Sequence, residues 1–129
     1  MTVAYLDTSA AVKLLVEEPE SAALVDTLTA MPNLRLAASW LLHTELHCAA
    51  GRHPDAIDAD AVRTVLDTID LVDLTRGDMI AAGTLAPLRS NEAIHLAVAI
   101  RLGIDDVVTY DQELADAARR AGLGVMSPR

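Results

Sequence analysis

The 129-residue sequence has few of the residues that mark several common protein classes. Its single cysteine, Cys48, cannot form a disulfide within the chain, and its apolar neighbours predict a small buried residue in a reducing compartment. Phe is absent and only one Trp and two Tyr occur, so the core must be built from Ala, Leu, Val and Ile. No apolar run is long enough to span a membrane, and Asp7 and Lys13 interrupt any signal-like stretch. These absences predict a soluble, cytoplasmic protein without a membrane segment.

Basic residues are also scarce. Ten Lys and Arg stand against 19 Asp and Glu, which gives a net charge of −9. This balance argues against a broad basic surface that follows nucleic-acid phosphates, but it leaves room for a local site whose charge is neutralised by a metal ion. The length fits one hydrophobic core, and no linker, repeat or low-complexity segment interrupts it. We therefore expect one domain over residues 1–129.

Short apolar stretches alternate with helical patterns along the whole chain. Strands are predicted at residues 3–6, 34–38, 69–74, 107–110 and 125–126. Helices are predicted at residues 9–16, 19–28, 40–51, 55–66, 78–86, 90–102 and 112–121. Alternation of this kind implies parallel strands joined by right-handed crossovers. The predicted fold class is α/β, a single-domain α/β/α sandwich around a central, mostly parallel sheet.

Two acids stand directly after predicted strands. Asp7 follows the first strand and Asp111 follows the fourth, and the carboxyl edge of an open α/β sheet is where ligands bind. Each acid is also suited to cap the next helix, and Thr8 and Ser9 are further candidates for the first cap. The sequence is compatible with both interpretations.

Glu45 is an acid in an apolar stripe of its predicted helix. The residues that share its face on a 3.6-residue period are Leu41, Leu42, Cys48 and Ala49. An ionised carboxylate is rarely buried without a partner, and no Lys or Arg lies within one turn. The partner is therefore expected to be a cation, or a proton shared with another acid.

His43 and His47 flank Glu45 and raise the possibility of a helical zinc site. The zinc-protease motif requires H-E-x-x-H, whereas Glu45 here stands two residues, about 200° of helix, from each histidine. The histidines and the acid therefore point to different sides, and we expect half-exposed histidines rather than a zinc site.

Glu92 occupies the first turn of a helix that is apolar nearly all round. An acid there can simply stabilise the helix dipole, or it can face the same sheet edge as Asp7 and Asp111. His95, one turn later, is either a hydrogen-bonded core histidine or a donor to a ligand of a metal.

Convergence of these acids would require a counter-charge. Two carboxylates 4 Å apart repel by roughly 4 kcal/mol at an effective dielectric near 20. Oxygen ligands of this kind are those that Mg²⁺ and Mn²⁺ take, often through one or two carboxylates and several waters. The acids Asp7, Glu45, Glu92 and Asp111 therefore predict a site for Mg²⁺ or Mn²⁺ if they meet.

Four motifs in order resemble a known family. They are YLDTS at residues 5–9, the helix acid Glu45 after Ser39, LRSNEAIHLA at 88–97 and VTYD at 108–111. Together they resemble the PIN-domain nucleases, in particular the VapC-type toxins of toxin–antitoxin pairs. The resemblance runs from the first strand to the last helix, and it is the order and spacing of the motifs that make it specific.

The resemblance implies a metal-dependent endoribonuclease that cleaves RNA phosphodiester bonds with a metal-activated water. It assigns the catalytic and metal-binding roles to Asp7, Glu45, Glu92 and Asp111. Thr8, Ser9 or Thr109 is implied to donate hydrogen bonds to these ligands. Arg89 and Lys13 are further candidates for contacts with phosphate. The resemblance also implies a homodimer held inactive by a cognate VapB-type antitoxin.

Two neighbouring positions depart from the family pattern, and one alternative function is open. The family usually has Asp where this chain has Glu92 and a hydrophobic residue where it has Asn91, so the carboxylate is about one C–C bond further from the backbone. The alternative is a catalytically weak or inactive PIN-like binding or scaffold module. A phosphoaspartate hydrolase would need an Asp at the position of Ser9, and a receiver domain would need a late Lys, whereas Lys13 is the only lysine.

Overall fold

A five-stranded parallel sheet forms the centre of the protein, which we describe over all 129 residues from a computed structural model. Its strands are β1 (Thr2–Leu6), β2 (Leu34–Ser39), β3 (Asp70–Val72), β4 (Asp106–Val108) and β5 (Gly124–Met126). They lie in the order β3-β2-β1-β4-β5, and all neighbouring strands are parallel. Tyr5 at the centre is paired with Ala37 on one side and Val107 on the other. The mostly parallel sheet expected from the sequence is confirmed.

Seven helices connect the strands. They are α1 (Thr8–Val12), α2 (Ser21–Ala30), α3 (Trp40–Arg52), α4 (Ala59–Leu66), α5 (Arg76–Ala82), α6 (Ser90–Leu102) and α7 (Gln112–Arg120). Helix α3 packs against α1 and α4, whereas α6 packs against α5 and α7. The chain moves outward from β1 to β3, returns to β4 on the other side of β1, and continues to β5. Right-handed crossovers in these two directions put the two helix groups on opposite faces, as the predicted sandwich requires.

Helix boundaries differ from the sequence prediction at several positions, and at two of them a capping side chain decides where the helix begins. The first helix ends at Val12 instead of residue 16, because the chain continues in tighter turns such as the one between the Leu15 amide and the Val12 carbonyl. The fourth helix begins four residues later than predicted, after Asp58 has capped it. The helix predicted at 78–86 begins at Arg76, because Thr75 is its cap.

The core is aliphatic, as the composition predicts, with one aromatic exception. Tyr5 is fully buried among alanine, leucine and valine side chains. The prediction of a buried Cys48 is wrong: the residue lies on the exposed side of α3, while Leu42 and Ala49 take the buried side. Its spacing from Glu45 puts Cys48 near the edge of the apolar stripe, where adjacent positions of the helix can differ between buried and exposed side chains. No helix has the length and apolarity needed to cross a membrane.

An ion pair away from the carboxyl edge of the central strands joins α5 to α6. Asp78 is 2% exposed and accepts hydrogen bonds from Arg101 Nε at 2.7 Å and Nη2 at 2.9 Å. It also accepts from the Thr75 amide at 3.0 Å, which completes a capping box. The guanidinium of Arg101 lowers the pKa of Asp78, so the folded state holds this group as a carboxylate.

We expect Asp78→Asn to lower the free energy of unfolding by about 1 to 3 kcal/mol at neutral pH, because Arg101 loses its charged acceptor. Because the pKa of Asp78 is lowered, its contribution is present above its ordinary pKa and disappears as the pH falls through the lowered value. Urea unfolding of both proteins at neutral and acid pH measures this. An equal difference at both pH values would show that the ion pair is not its source.

Candidate active site

The four acids expected from the sequence line one cavity at the carboxyl edge of the sheet. The cavity has a volume of about 380 Å³ and no apolar residue in its wall. Its lining residues are Asp7, Thr8, Ser9, Glu45, Arg89, Ser90, Asn91, Glu92, His95 and Asp111. It lies where the connections from β1 and β4 leave the sheet in opposite directions, which is the position of ligand sites in open α/β sheets.

Asp7 is the most buried of these acids, at 3% exposure. It caps α1 by accepting from the Ala10 amide at 3.0 Å, so the cap and the cavity interpretations both hold. Its oxygens also accept from Ser9 Oγ at 2.8 Å and Thr109 Oγ1 at 2.6 Å. Burial raises the pKa of Asp7 despite these donors. Thr8 and Ser9 are not the cap, and both direct their hydroxyl groups to acids instead.

Glu45 reaches the cavity from the second turn of α3 and is surrounded by donors. Its Oε1 atom accepts from Thr8 Oγ1 at 2.6 Å and lies 2.6 Å from His95 Nε2, while Oε2 accepts from Asn91 Nδ2 at 3.2 Å. Burial alone would raise the pKa of Glu45, but these hydrogen bonds, that of His95 first, outweigh burial and lower it. The partner that the sequence left unidentified is therefore a set of hydrogen-bond donors, with the buried His95 among them.

Arg89 links the remaining two acids. Its Nη2 atom lies 2.7 Å from Glu92 Oε1 and 3.3 Å from Asp111 Oδ2. Asp111 also caps α7 through the Leu114 amide at 2.9 Å. The guanidinium is 74% exposed, and the two carboxylates, Glu92 first, raise the pKa of Arg89. Arg89 thus contacts the acids of the cavity and is also accessible to a ligand from solvent.

The hydroxyl residues implied by the family resemblance bind the acids, but the lysine does not. Thr109 is fully buried, donates to Asp7 and accepts from the Asp111 amide at 3.0 Å. Lys13 lies outside the cavity wall, because Glu20 at 3.0 Å and Glu18 at 3.6 Å hold its ammonium group. The structure therefore gives no support to Lys13 as a phosphate contact.

Sequence reasoning gave no cavity role to three residues. Ser90 and Asn91 line the cavity at the start of α6, and Asn91 had been noted only as a departure from the family pattern. Tyr5 lies beneath the cavity, with its hydroxyl 2.7 Å from His95 Nδ1. Burial raises the pKa of Tyr5 to about 12. Tyr5 is the residue before the last one of its strand, and the sequence pattern there indicates only that the side chain is buried. The contact with His95 is visible only once α6 is packed against the sheet.

The histidines on α3 lie apart from the acids of the cavity. His43 and His47 are half-buried, with ring centroids 4.5 Å apart, and they do not line the cavity that contains Glu45. No three His, Cys, Asp or Glu side chains anywhere in the chain are close enough to hold one ion as they stand.

The donor set of the cavity nevertheless fits a hard divalent cation. Its ionisable oxygen donors are four carboxylates, and Arg89 is its only fixed positive charge. Carboxylate oxygens without thiolates are the ligands of Mg²⁺ and Mn²⁺. Because the acids are held by internal donors in this structure, binding an ion would require some of them to exchange these donors for it.

Known proteins resemble the chain over nearly its whole length. The sequence pattern of the PIN domain family matches residues 4–120. Two relatives from Mycobacterium tuberculosis are ribonuclease VapC46, 40% identical with 99% of each chain covered, and ribonuclease VapC47, 38% identical with 96% of each covered.

Solved structures share the fold. VapBC2 from Rickettsia felis, bound to a promoter DNA fragment, matches with a TM-score of 0.74 at 15% identity over 99% of this chain and 100% of that one. VapC20 of Mycobacterium tuberculosis, described as a sarcin–ricin loop cleaving toxin, matches with a TM-score of 0.70 at 14% identity over 88% and 94%. On the sequence matches, the chain belongs to the PIN-domain family and, within it, to the VapC ribonucleases.

Proposed function

We propose that this protein is the toxin endoribonuclease of a VapBC-type toxin–antitoxin pair, acting in the cytoplasm as one domain over residues 1–129. The observation that carries the proposal is the meeting of four carboxylates from four separate segments in one polar cavity. The family membership and the ribonuclease names of its relatives support the same activity. A structural role alone does not account for four acids that share one cavity with a single arginine as their fixed positive charge.

The cofactor proposed for this cavity is Mg²⁺ or Mn²⁺. The side chains that would hold it are Asp7, Glu45, Glu92 and Asp111. When bound, such an ion lowers the pKa of a coordinated water and neutralises charge on the phosphate that is cleaved. Thr109, Ser9 and Thr8 hold two of the acids by short hydrogen bonds, which fixes their orientation before any ligand arrives.

Recognition of RNA follows from the charges of the cavity. A phosphodiester is repelled by four carboxylates unless a cation offsets them, so binding of substrate and of the ion should be coupled. Arg89 is the exposed cation at the cavity wall, and its guanidinium is suited to hydrogen-bond to two phosphate oxygens. To bind phosphate, the Arg89 guanidinium must give up its contacts with Glu92 and Asp111. A divalent ion bound to those two acids would replace Arg89 as their partner.

The proposed activity is tested with purified protein, a structured RNA and millimolar Mg²⁺ or Mn²⁺. Cleavage that stops on addition of EDTA and returns with excess metal is the expected result. Asp78→Asn is the matched control, since it alters a buried acid outside the cavity and should still cleave. RNA binding without cleavage under all metal conditions would favour the scaffold alternative.

The proposed partner is a VapB-type antitoxin, with the toxin itself a homodimer. A neighbour in fold is described as a toxin–antitoxin complex from Klebsiella pneumoniae, and another as VapBC2 from Rickettsia felis. The net charge of −9 favours a basic partner segment that offers a cation to the acids. Co-expression with the neighbouring small reading frame should yield a complex that co-purifies and is inactive on RNA. A chain that elutes alone and active from that co-expression would contradict the partnership.

A further inference from the structure

A continuous set of hydrogen bonds runs from the sheet to Glu45 beneath the cavity. The Ser39 amide donates to the Tyr5 hydroxyl oxygen at 3.1 Å, and that oxygen lies 2.7 Å from His95 Nδ1. On the other side of the ring, His95 Nε2 lies 2.6 Å from Glu45 Oε1. Ser39 and Tyr5 are fully buried and His95 is 3% exposed, so water does not compete for the bonds among these three residues, whereas the bond between His95 and Glu45 is part-buried.

The direction of the bonds follows from the requirement that every buried donor has an acceptor. A backbone amide only donates, so the Tyr5 oxygen accepts from Ser39, and the hydroxyl hydrogen has an acceptor only if it is donated to its one other partner, His95 Nδ1. With Nδ1 accepting, the neutral ring carries its hydrogen on Nε2 and donates it to the carboxylate of Glu45. Every buried polar side-chain atom in the protein has a partner, so this arrangement leaves none of its members unsatisfied.

The two oxygens of Glu45 are consequently not equivalent. Oε1 accepts two bonds of 2.6 Å, from Thr8 and from His95, which occupy both of its lone pairs. Oε2 accepts only one, from Asn91 at 3.2 Å, and that bond is exposed to solvent. One lone pair of Oε2 is therefore free on the side of the cavity, and the weaker of the bonds to Glu45 is the one that a cation would replace.

We propose that Tyr5 and His95 are positioning residues that hold Glu45 Oε1, so that Glu45 binds the divalent ion through Oε2 alone. The inference rests on the proposed metal-dependent function and specifies how one metal ligand, Glu45, is oriented. A carboxylate limited to one oxygen leaves more of the coordination shell to water and phosphate than a bidentate one. Donors that orient ligands commonly change metal affinity by about 10- to 100-fold when they are removed.

Two substitutions of His95 separate its two contacts. In His95→Gln the amide nitrogen takes about the place of Nε2, so this variant keeps the donor to Glu45. In His95→Asn the amide takes about the place of Nδ1, so this variant keeps only the contact with Tyr5. Mn²⁺ dissociation constants are measured on the full-length, metal-free proteins by the electron paramagnetic resonance signal of free Mn²⁺. We expect His95→Gln to bind within about threefold of wild type and His95→Asn to bind at least about tenfold more weakly.

Melting temperatures of the metal-free variants separate positioning from loss of stability. Asp78→Asn serves as the control, since it should lower the melting temperature and leave the Mn²⁺ affinity unchanged. If His95→Asn binds Mn²⁺ as tightly as wild type, or if His95→Gln and His95→Asn lose affinity equally, the positioning role is overturned. Failure of wild type to bind Mn²⁺ at all would overturn the metal site and the positioning role together.

The ring of His95 gives a readout that does not depend on metal. Nitrogen-15 spectra of the metal-free protein should show one neutral tautomer, with the hydrogen on Nε2 and Nδ1 accepting, and Tyr5→Phe should perturb the Nδ1 resonance. A ring with its hydrogen on Nδ1 would overturn the inferred direction of the bonds even if metal binding and RNA cleavage were both found. The two measurements thus distinguish an error in the positioning role from an error in the proposed function.

Discussion

Asp7→Asn should melt at a higher temperature than wild type without metal, gain nothing from Mn²⁺ and fail to cleave RNA. Asp7 is buried among other acids, and burial raises its pKa, so the folded chain holds its charge at a cost. The neutral amide removes that cost and removes a metal ligand at the same time. Wild type, by contrast, should gain about 2.7 kcal/mol at a hundredfold excess of Mn²⁺ over its Kd, which is roughly 10 °C for a domain of this size.

Thermal melts of both proteins, with EDTA and with millimolar Mn²⁺, measure this prediction. Asp78→Asn is again the matched control, because it changes a buried acid that does not line the cavity and should keep the full response to Mn²⁺. If Mn²⁺ leaves the wild-type melting temperature unchanged, and Asp7→Asn melts no higher than wild type in EDTA, the acids of the cavity do not form a metal site.

Substitution of Glu92 should separate the charge of the side chain from its length. Glu92 lines the cavity beside Arg89 and stands where the family usually has Asp. Glu92→Gln keeps the length and removes the charge, so it should lose both metal binding and RNA cleavage. Glu92→Asp shortens the arm by about one C–C bond and should keep metal binding, with cleavage equal to or above wild type. A misplacement of about 1 Å can change a rate by on the order of a hundredfold.

Cleavage rates on a structured RNA, together with Mn²⁺ affinities, measure the effect of each Glu92 variant. Asn91→Ala serves as a comparison variant, because it removes a donor to Glu45 from the same helical turn as Glu92 but removes no charge. Wild-type activity in Glu92→Gln would remove Glu92 from the site and leave it as an acid that stabilises the first turn of α6.

The features that the sequence predicted correctly depend on short-range patterns. Apolar strands alternating with helices are sufficient to predict a parallel sheet, and acids directly after two of its strands then lie at the same carboxyl edge. Glu45 was found because an acid within an apolar stripe requires a partner. Each of these conclusions needs only the period of an element and the handedness of its crossovers.

The features that the sequence did not predict depend on side chains distant along the chain. Glu45 and His95 are 50 residues apart and Tyr5 and His95 are 90 apart, and no period links them. Lys13 was a candidate for a phosphate contact, but Glu18 and Glu20 hold its ammonium group outside the cavity wall. The exposure of Cys48 was missed because it stands at the edge of the apolar face of α3, where small rotations decide burial.

Anomalous diffraction from crystals grown with Mn²⁺ tests the metal site most directly. We expect a strong peak in the cavity, in contact with one oxygen of Asp7 and with Oε2 of Glu45, and Arg89 displaced from Glu92 or Asp111. Crystals of Asp7→Asn grown in the same way should give no peak there. A fully occupied ion elsewhere, for instance on His43 and His47, with an empty cavity in the active protein, would show that the acids of the cavity are not the metal site.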